Sequence, residues 1–422
     1  MKITIRVYDS KIAILVLFVL LSENGMYLID ISKFNIAGAL NYNDLWAYTL
    51  ALYEIYYIAK MKMKGKYTFL FEMLGIVASC IIASFQGAYN MGQSVGMGIR
   101  PQRFFIIGMM LYFLVRKELA NRKMTAFNLL DMLITMGIFE GFLCTMQYFL
   151  SGKIEFLHAS SNMRYGSIRL YFDSGLMMFT AIAGWCAYLR KGGKRYLVAV
   201  GFGLIYEFLI SKGRLENLCV LCALFVAFFL LRKNAFKKSM VTISLVIAVV
   251  FLMNTSYSKV LINAVKSSMG SQVEDDSGDS EDTMSIRKEG REHYANQSSK
   301  SLSNTILGCG YPNTLSERSC EYARTDTYAL VDNGIYAYKF IYGWVGVGVV
   351  VLVALRAIFE SLVIYVKKGG LFPISYIVFL VPIAYNIIFW WWKPDSTLLL
   401  SIYLAIVDHY YSDKLAEDEF VI

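Results

Sequence analysis

Charge is scarce in this sequence: Asp, Glu, Lys and Arg together make up 17% of the 422 residues, against 57% for the AVILMFWYC set. With a mean hydropathy of +0.48, that balance excludes an ordinary soluble globular protein. Histidine is scarcer still. His158, His293 and His409 are scattered, and no Asp or Glu stands at ligand spacing beside them, so the sequence offers no metal centre. A Gly-x-x-x-x-Gly-Lys-Ser/Thr phosphate loop is missing, which leaves nucleotide hydrolysis unsupported. No repeat of fixed period is present. Five of the cysteines, Cys80, Cys144, Cys186, Cys219 and Cys222, fall inside apolar runs, where a thiol packs as a small hydrophobe; Cys219-x-x-Cys222 has no further ligands nearby.

What the sequence has in abundance is apolar stretches of membrane length. A hydrocarbon core of about 30 Å needs roughly 20 apolar residues per crossing, so about twelve crossings would consume nearly all the apolar content. Spans are expected near 12–29, 44–60, 68–88, 104–116, 126–150, 170–189, 196–210, 215–231, 239–255, 335–366, 371–392 and 396–412. The net charge of +9 then has a use other than nucleic acid. Lys2, Arg6 and Lys11, and the clusters around Lys60–Lys66, Arg116–Lys123, Arg190–Arg195, Arg232–Lys238 and Lys367–Lys368, all fall on one side of this map. The positive-inside rule makes that side cytoplasmic, with both termini inside and the segment 256–334 outside. The expected fold is an all-α integral membrane protein of three parts: nine spans in 1–255, a large extracytoplasmic loop over 256–334, and three spans with a cytoplasmic tail in 335–422.

The outer loop changes character along its length. The acidic run Glu274–Asp282 reads as a solvated linker, or as a contact for a regulator, while Tyr294, Leu302, Ile306 and Leu307 give the part after Ile286 something to pack. Cys309 and Cys320 would share an oxidising face, either bridged or as two free thiols. Once the cytoplasmic anchors are set aside, few basic residues remain outside, among them Arg100, Arg103, Arg164, Arg169, Lys212 and Arg214 and, in the long loop, Arg287, Arg291, Arg318 and Arg324. Arg169 is expected to open the sixth span, and Arg214 lies in the short connection Ser211-Lys-Gly-Arg214. Such residues either snorkel to lipid headgroups or capture an anion, and guanidinium forks converging at an interface suit a lipid pyrophosphate. The intramembrane acids Asp131, Glu140, Asp173, Glu207 and Glu216 are candidates for ion coupling or for pairing with arginine. Trp390, Trp391 and Trp392 read as an interfacial anchor.

Taken in order, Arg169, Ser211-Lys-Gly-Arg214, the long loop with Arg287 to Tyr294, Gly308-Cys-Gly310-Tyr, and Asp332-Asn333 followed by nine residues and Gly343-Trp-Val-Gly346 resemble the O-antigen polymerase and O-antigen ligase family of bacterial surface polysaccharide assembly. The ligases have a His-Asn-type pair where this chain has Asp332-Asn333, a departure that favours the polymerase branch. The resemblance implies a GT-C-like membrane glycosyltransferase that joins polyprenyl-pyrophosphate-linked oligosaccharides on the outer face of the bacterial cytoplasmic membrane, with no cofactor. It implies Arg169, Arg214 and Arg291, backed by Arg164, Arg287 and Arg103, as pyrophosphate contacts, and Asp332 or His293 as the group that takes the acceptor's proton. Asp332 or Asn333 could equally be a helix N-cap, and His293 an ordinary loop residue. Gly308, Gly310, Asn333, Gly343 and Gly346 would support the loop and the helix entry, with close helix packing as the other reading of Gly343 and Gly346. Membrane lipids, a chain-length regulator and a flippase are the implied partners. Ligase-type transfer and lipid-linked oligosaccharide flipping are the alternatives.

Overall fold

The computed structural model describes residues 23–30, 35–36, 40–59, 67–121, 124–164, 167–172, 174–231, 280–386, 394–413 and 420–422. The expected span at 239–255, most of that at 12–29, Asp173, the three tryptophans at 390–392 and the start of the acidic run lie outside the described residues.

The fold is all-α. In chain order its elements are α1 (Glu23–Met26), a two-residue pairing of β1 (Asn35–Ile36) with β2 (Leu40–Asn41), α2 (Tyr42–Ala59), α3 (Leu70–Met91), α4 (Val95–Ala120) and α5 (Ala126–Leu150). An antiparallel hairpin of β3 (Ser160–Arg164) and β4 (Ser167–Tyr171) follows, then α6 (Gly175–Lys191) and α7 (Lys194–Ile205), a π-helical turn (Tyr206–Ser211) and α8 (Arg214–Leu230). The later part holds α9 (Ser280–Ser298), α10 (Leu302–Leu307), α11 (Glu317–Ala323), a 3-10 turn (Val331–Asn333), α12 (Gly334–Lys368), α13 (Phe372–Asn386) and α14 (Pro394–Ser412).

Among the described residues, three helical stretches are long and apolar enough to cross a membrane: Leu70–Met91, Ala126–Leu150 and Val331–Lys368. Helix starts follow local chemistry. Ser94 and Thr125 accept N–H bonds from Met97 and Asn128, satisfying one orphan donor each at the head of α4 and α5. Every residue of α14 from Pro394 to Tyr410 is buried, including the polar Asp395, Ser396, Thr397, Ser401, Asp408 and His409. It packs along α4, where the Ser401 hydroxyl meets the Gly108 and Met109 carbonyls at 2.7 and 3.0 Å, and it also touches α12 and α6.

At one end of α14 lies a buried polar knot. Asp408 accepts from the Thr68 amide at 3.1 Å and from the Tyr112 hydroxyl, and the Arg116 Nε stands 3.1 Å away. Arg116 also pairs with Asp413 at 2.8 Å, and Asp413 meets His409 at the same distance. The charges expected to anchor this side are therefore partly turned inward to fasten α3, α4 and α14 to one another.

Two expectations about the spans change. Arg169 does not open a span: it sits in β4, and α6 begins six residues later at Gly175. The stretch 335–366 is not one continuous helix either. At Gly343 the backbone turns to φ 62, ψ −166, so α12 is two helical pieces meeting at a break. The carbonyls freed by it, those of Phe340 and Ile341, accept the Cys309 and Gly310 amides at 2.6 and 3.2 Å. A Cβ on Gly308 would lie 2.2 Å from the Ile341 oxygen, and one on Gly343 would lie 2.4 Å from the Gly308 nitrogen, so backbone passes directly over backbone. Gly346 lies just past the break, where a Cβ would meet Tyr342 at 2.2 Å and Tyr338 at 3.5 Å, both on the first piece.

Candidate functional site

The part of the chain after Ile286 folds as helices, and α9 places its residues by helical period. Arg287, Gly290, Arg291 and Tyr294 recur at three- and four-residue spacing and so share one face. That face lies along the 3-10 turn and the first piece of α12, with the two running in the same direction. The Arg287 Nη2 is 3.4 Å from the Asp332 Oδ2. Gly290 packs on the Asn333 amide, which a Cβ would approach to 3.0 Å. The Arg291 guanidinium lies 5.8 Å from the Tyr336 ring centroid, and the Tyr294 ring packs on Phe340 at 5.0 Å while its hydroxyl donates to the Tyr328 carbonyl. Tyr294 is wholly buried, so its side chain fixes the depth of α9.

Within this arrangement Arg287 and Asp332 form a half-exposed ion pair, whereas Arg291 keeps a buried Nε with no hydrogen-bond partner. The N-cap expectation is not met. Asn333 stands at the cap position of α12 but makes no cap bond; its Nδ2 donates back to the Ala329 carbonyl at 2.7 Å. His293 has other neighbours than Asp332. Its ring lies 5.6 Å from that of Tyr294 and 5.5 Å from that of Tyr328, and its Nε2 is buried without a partner among the described residues. Burial lowers the imidazole below its ordinary 6.5; a hydrogen bond to the Tyr322 backbone opposes this, and the charges of Arg324 and Lys300 add to it. The two candidate bases thus have different partners, Tyr328 for His293 and Arg287 for Asp332.

A second cationic position lies at the β3–β4 hairpin. Arg169 donates from Nε to the Ser211 carbonyl and from Nη1 to the Tyr171 hydroxyl at 3.1 Å, with its guanidinium 4.2 Å above the Tyr171 ring. Lys212, held in the left-handed region at φ 53, reaches back to the Ile168 carbonyl at 2.8 Å. The hairpin and the turn before α8 are thereby latched together, which brings the Arg169 strand to the segment that leads into Arg214. The side chains of Arg164 and Arg214 lie outside the described residues. No described bond of Arg169 reaches α9, and none of Arg287 or Arg291 reaches the hairpin.

Beneath the hairpin, α6 starts deep in the protein. The Gly175 amide donates to Asp395 Oδ2 at 2.6 Å and the Ser174 amide to the Tyr206 hydroxyl at 2.8 Å. Glu140 and Glu207, two of the expected intramembrane acids, are buried in the same region, while Asp131 is paired with Arg195 and Tyr196. Cys309 and Cys320 are both free thiols.

One feature that residue-by-residue reading missed adjoins the α9 cluster. An open cleft of about 180 Å³, lined by apolar side chains, runs between α12, α13 and α14 with contributions from α3 and α4. Ile335 and Tyr385 line it together with Val353, Ala357, Leu380 and Leu404. Gly334 rests on the backbone of Tyr385 and Asn386, so the chain that carries Asp332 and Tyr336 also supplies the wall of the cleft. No protein-family model matches this chain, and no curated protein matches it either.

Proposed function

We propose that the protein is a membrane-embedded polysaccharide polymerase that transfers one lipid-linked oligosaccharide repeat unit onto another at the outer face of the bacterial cytoplasmic membrane. In this reading the chain crosses the membrane about twelve times in a GT-C-like arrangement, both termini are cytoplasmic, and α9 to α11 face outward. One observation carries the reading: Asp332, paired with Arg287 and followed by the Arg291 contact Tyr336, lies three residues before Ile335, which lines one end of an apolar cleft. A ligand with a charged head and a long hydrocarbon tail, as a polyprenyl-pyrophosphate glycan is, matches both halves.

The chemistry follows from charge. As the bond between the anomeric carbon and the pyrophosphate oxygen breaks, the electron pair leaves with the polyprenyl pyrophosphate and positive charge builds on the sugar ring. Fixed cations that meet the developing pyrophosphate charge lower the barrier, and one well-placed donor of this kind is worth on the order of 3 kcal/mol, about a hundredfold in rate. Arg291, with its unused buried Nε, and Arg287, in reach of solvent, take that role. The acceptor's sugar hydroxyl forms the new glycosidic bond and gives its proton to Asp332, which stands 3.4 Å from the Arg287 guanidinium. His293 packs against the Tyr328 ring in this scheme. The latched hairpin with Arg169, and the turn leading to Arg214, provide a second cationic position for the headgroup of the acceptor lipid. A polymerase needs two such positions, because both of its substrates carry a lipid pyrophosphate.

The test is reconstitution in liposomes with a polyprenyl-pyrophosphate repeat unit and separation of the products by size, beside an Arg291→Ala protein. A ladder of multiples with released polyprenyl pyrophosphate, lost in the variant, supports the proposal. A single transfer onto a different lipid acceptor makes the protein a ligase. Movement of labelled lipid between leaflets without any new glycosidic bond makes it a flippase and sinks the enzyme reading.

A further inference from the structure

We infer that the segment from Leu302 to Tyr311, part of what reads from sequence as an aqueous loop, is seated inside the lipid bilayer and contacts acyl chains through Leu302 and Ile306. The inference rests on α3 crossing the membrane and not on the transferase chemistry, so either can fail without the other.

Depth is the first ground. Gly310 lies against α3 so closely that a Cβ there would meet the Gly87 nitrogen at 2.1 Å and the Ala83 oxygen at 2.6 Å. At about 1.5 Å per residue, Ala83 and Gly87 stand roughly 20 and 26 Å along α3 from Leu70, with Met91 roughly 6 Å beyond Gly87. A hydrocarbon slab about 30 Å thick, centred on that helix, places the contact several ångströms below its surface.

The second ground is how the backbone of this segment is satisfied. Non-helical chain at membrane depth is tolerated only where protein supplies its hydrogen bonds. Here it does. The Gly308 amide donates to Asn304, Cys309 to Phe340 and Gly310 to Ile341. In the other direction, Asn90 Nδ2 donates to the Cys309 carbonyl at 3.1 Å and Gln93 Nε2 to the Tyr311 carbonyl at 2.7 Å. Gln86 donates to the Ser303 hydroxyl at 3.2 Å, and Thr305 to the carbonyls of Ser298 and Ser301. Gln86 and Asn90 sit one turn apart on the last two turns of α3, and both bond to this segment. In an aqueous loop water would do the same work.

The third ground is the surface presented outward. Leu302 is 76% exposed and Ile306 41%, one helical turn apart on α10. Gln86, which holds α10 to α3, lies between Phe85, 61% exposed, and Tyr89, 83% exposed. These two continue the exposed row Phe71, Leu74 and Ile81 along α3, the side that a spanning helix turns to lipid. The apolar residues of α10 extend that surface.

The test is spin labelling in lipid nanodiscs, on a Cys222→Ser, Cys320→Ser background that removes the two thiols not fully buried. Leu302→Cys and Ile306→Cys are compared with Phe85→Cys as the lipid-facing reference and with Glu321→Cys, exposed on α11, as the aqueous one. The expected result is an oxygen-to-nickel-chelate accessibility ratio at 302 and 306 several-fold above that at 321 and near that at 85. Ratios that match the Glu321 site overturn the inference. If the background variant does not fold, Leu302→Trp in the otherwise unaltered chain gives the same answer: the added fluorescence is quenched by brominated acyl chains if the residue is in lipid. Quenching by aqueous acrylamide alone refutes it.

Discussion

Replacing Gly308 by alanine tests the crossing of loop and broken helix more sharply than any other single change. The glycine has φ +84 and ψ 172, a region that side-chain-bearing residues essentially avoid and that costs of order 1–3 kcal/mol to occupy. The added methyl would also stand 2.2 Å from the Ile341 oxygen and 2.6 Å from the Gly343 nitrogen, both backbone atoms that cannot swing aside. To relieve that overlap the segment must lift from α12, which breaks the bonds from Cys309 to Phe340 and from Gly310 to Ile341. Each carbonyl so orphaned away from water costs about 1–3 kcal/mol. The sum is roughly 3–9 kcal/mol for Gly308→Ala. Gly348→Ala is the control: it lies in α12, beyond the break, with nothing within 4 Å of the new carbon, and alanine for glycine in a helix is neutral or favourable by about 0.5–1 kcal/mol. Thermal unfolding of the two variants and the parent in one detergent, at one scan rate, makes the comparison. If Gly308→Ala melts with Gly348→Ala, the close crossing is not a feature of the folded protein.

Asp408→Asn should cost about 3 kcal/mol or more in the same melt, because it leaves the buried Arg116 without one of its two carboxylates; equal melting would refute a buried ion pair there. Burial alone would raise the Asp413 carboxyl, yet hydrogen bonds from His409 and Arg116, with their charges, hold it at about 2, below its ordinary 3.8. A depressed carboxyl stabilises the fold fully above its unfolded value and loses that contribution as pH falls toward 2, so melting temperature should decline below pH 4 in the parent and less steeply in Asp413→Asn. Arg287→Ala removes a half-exposed pair and should change stability by under about 1 kcal/mol, while glycan transfer falls about a hundredfold; a change in stability alone would assign Arg287 to structure. If His293 were the base after all, the acid limb of the transfer rate would fall below 6.5 and vanish in His293→Gln; an unchanged profile leaves the role with Asp332.

Hydropathy located the apolar helices well because a spanning stretch carries its own signal: 126–150 coincides with α5, and 396–412 differs from α14 by two residues at its start. The break at Gly343 escaped because apolar residues continue without interruption on both sides of it, and only the backbone of a distant segment, Gly308 to Gly310, explains why a glycine is needed there. The β3–β4 hairpin escaped for a different reason. Ser-Ser-Asn-Met-Arg shows no alternation and Ser-Ile-Arg-Leu-Tyr alternates over only five residues that run into an apolar stretch, and the hairpin is held by the Arg169 and Lys212 contacts with a turn forty residues on. At the α9 cluster, the spacing of Arg287, Arg291 and Tyr294 was legible as one helical face, but their partners Asp332, Tyr336 and Phe340 depend on how two separated segments come to lie side by side. The apolar cleft left no trace at all. A residue such as Val353 or Leu380 looks the same in sequence whether it faces lipid, a neighbouring helix or a cavity.

The hydrogen bond from the Gly175 amide to Asp395 also bears on how the protein is made. The first amides of a helix have no partner within it, and in hydrocarbon an unmet donor is expensive. For α6 that donor is met by a carboxylate 220 residues later in the chain, at the head of α14. When α6 emerges from the ribosome its partner has not yet been synthesised, and about two hundred residues must follow before its head can be closed. The hairpin above it can latch once Ser211 and Lys212 are made, but a chain halted before α14 carries an α6 whose first turn is still open.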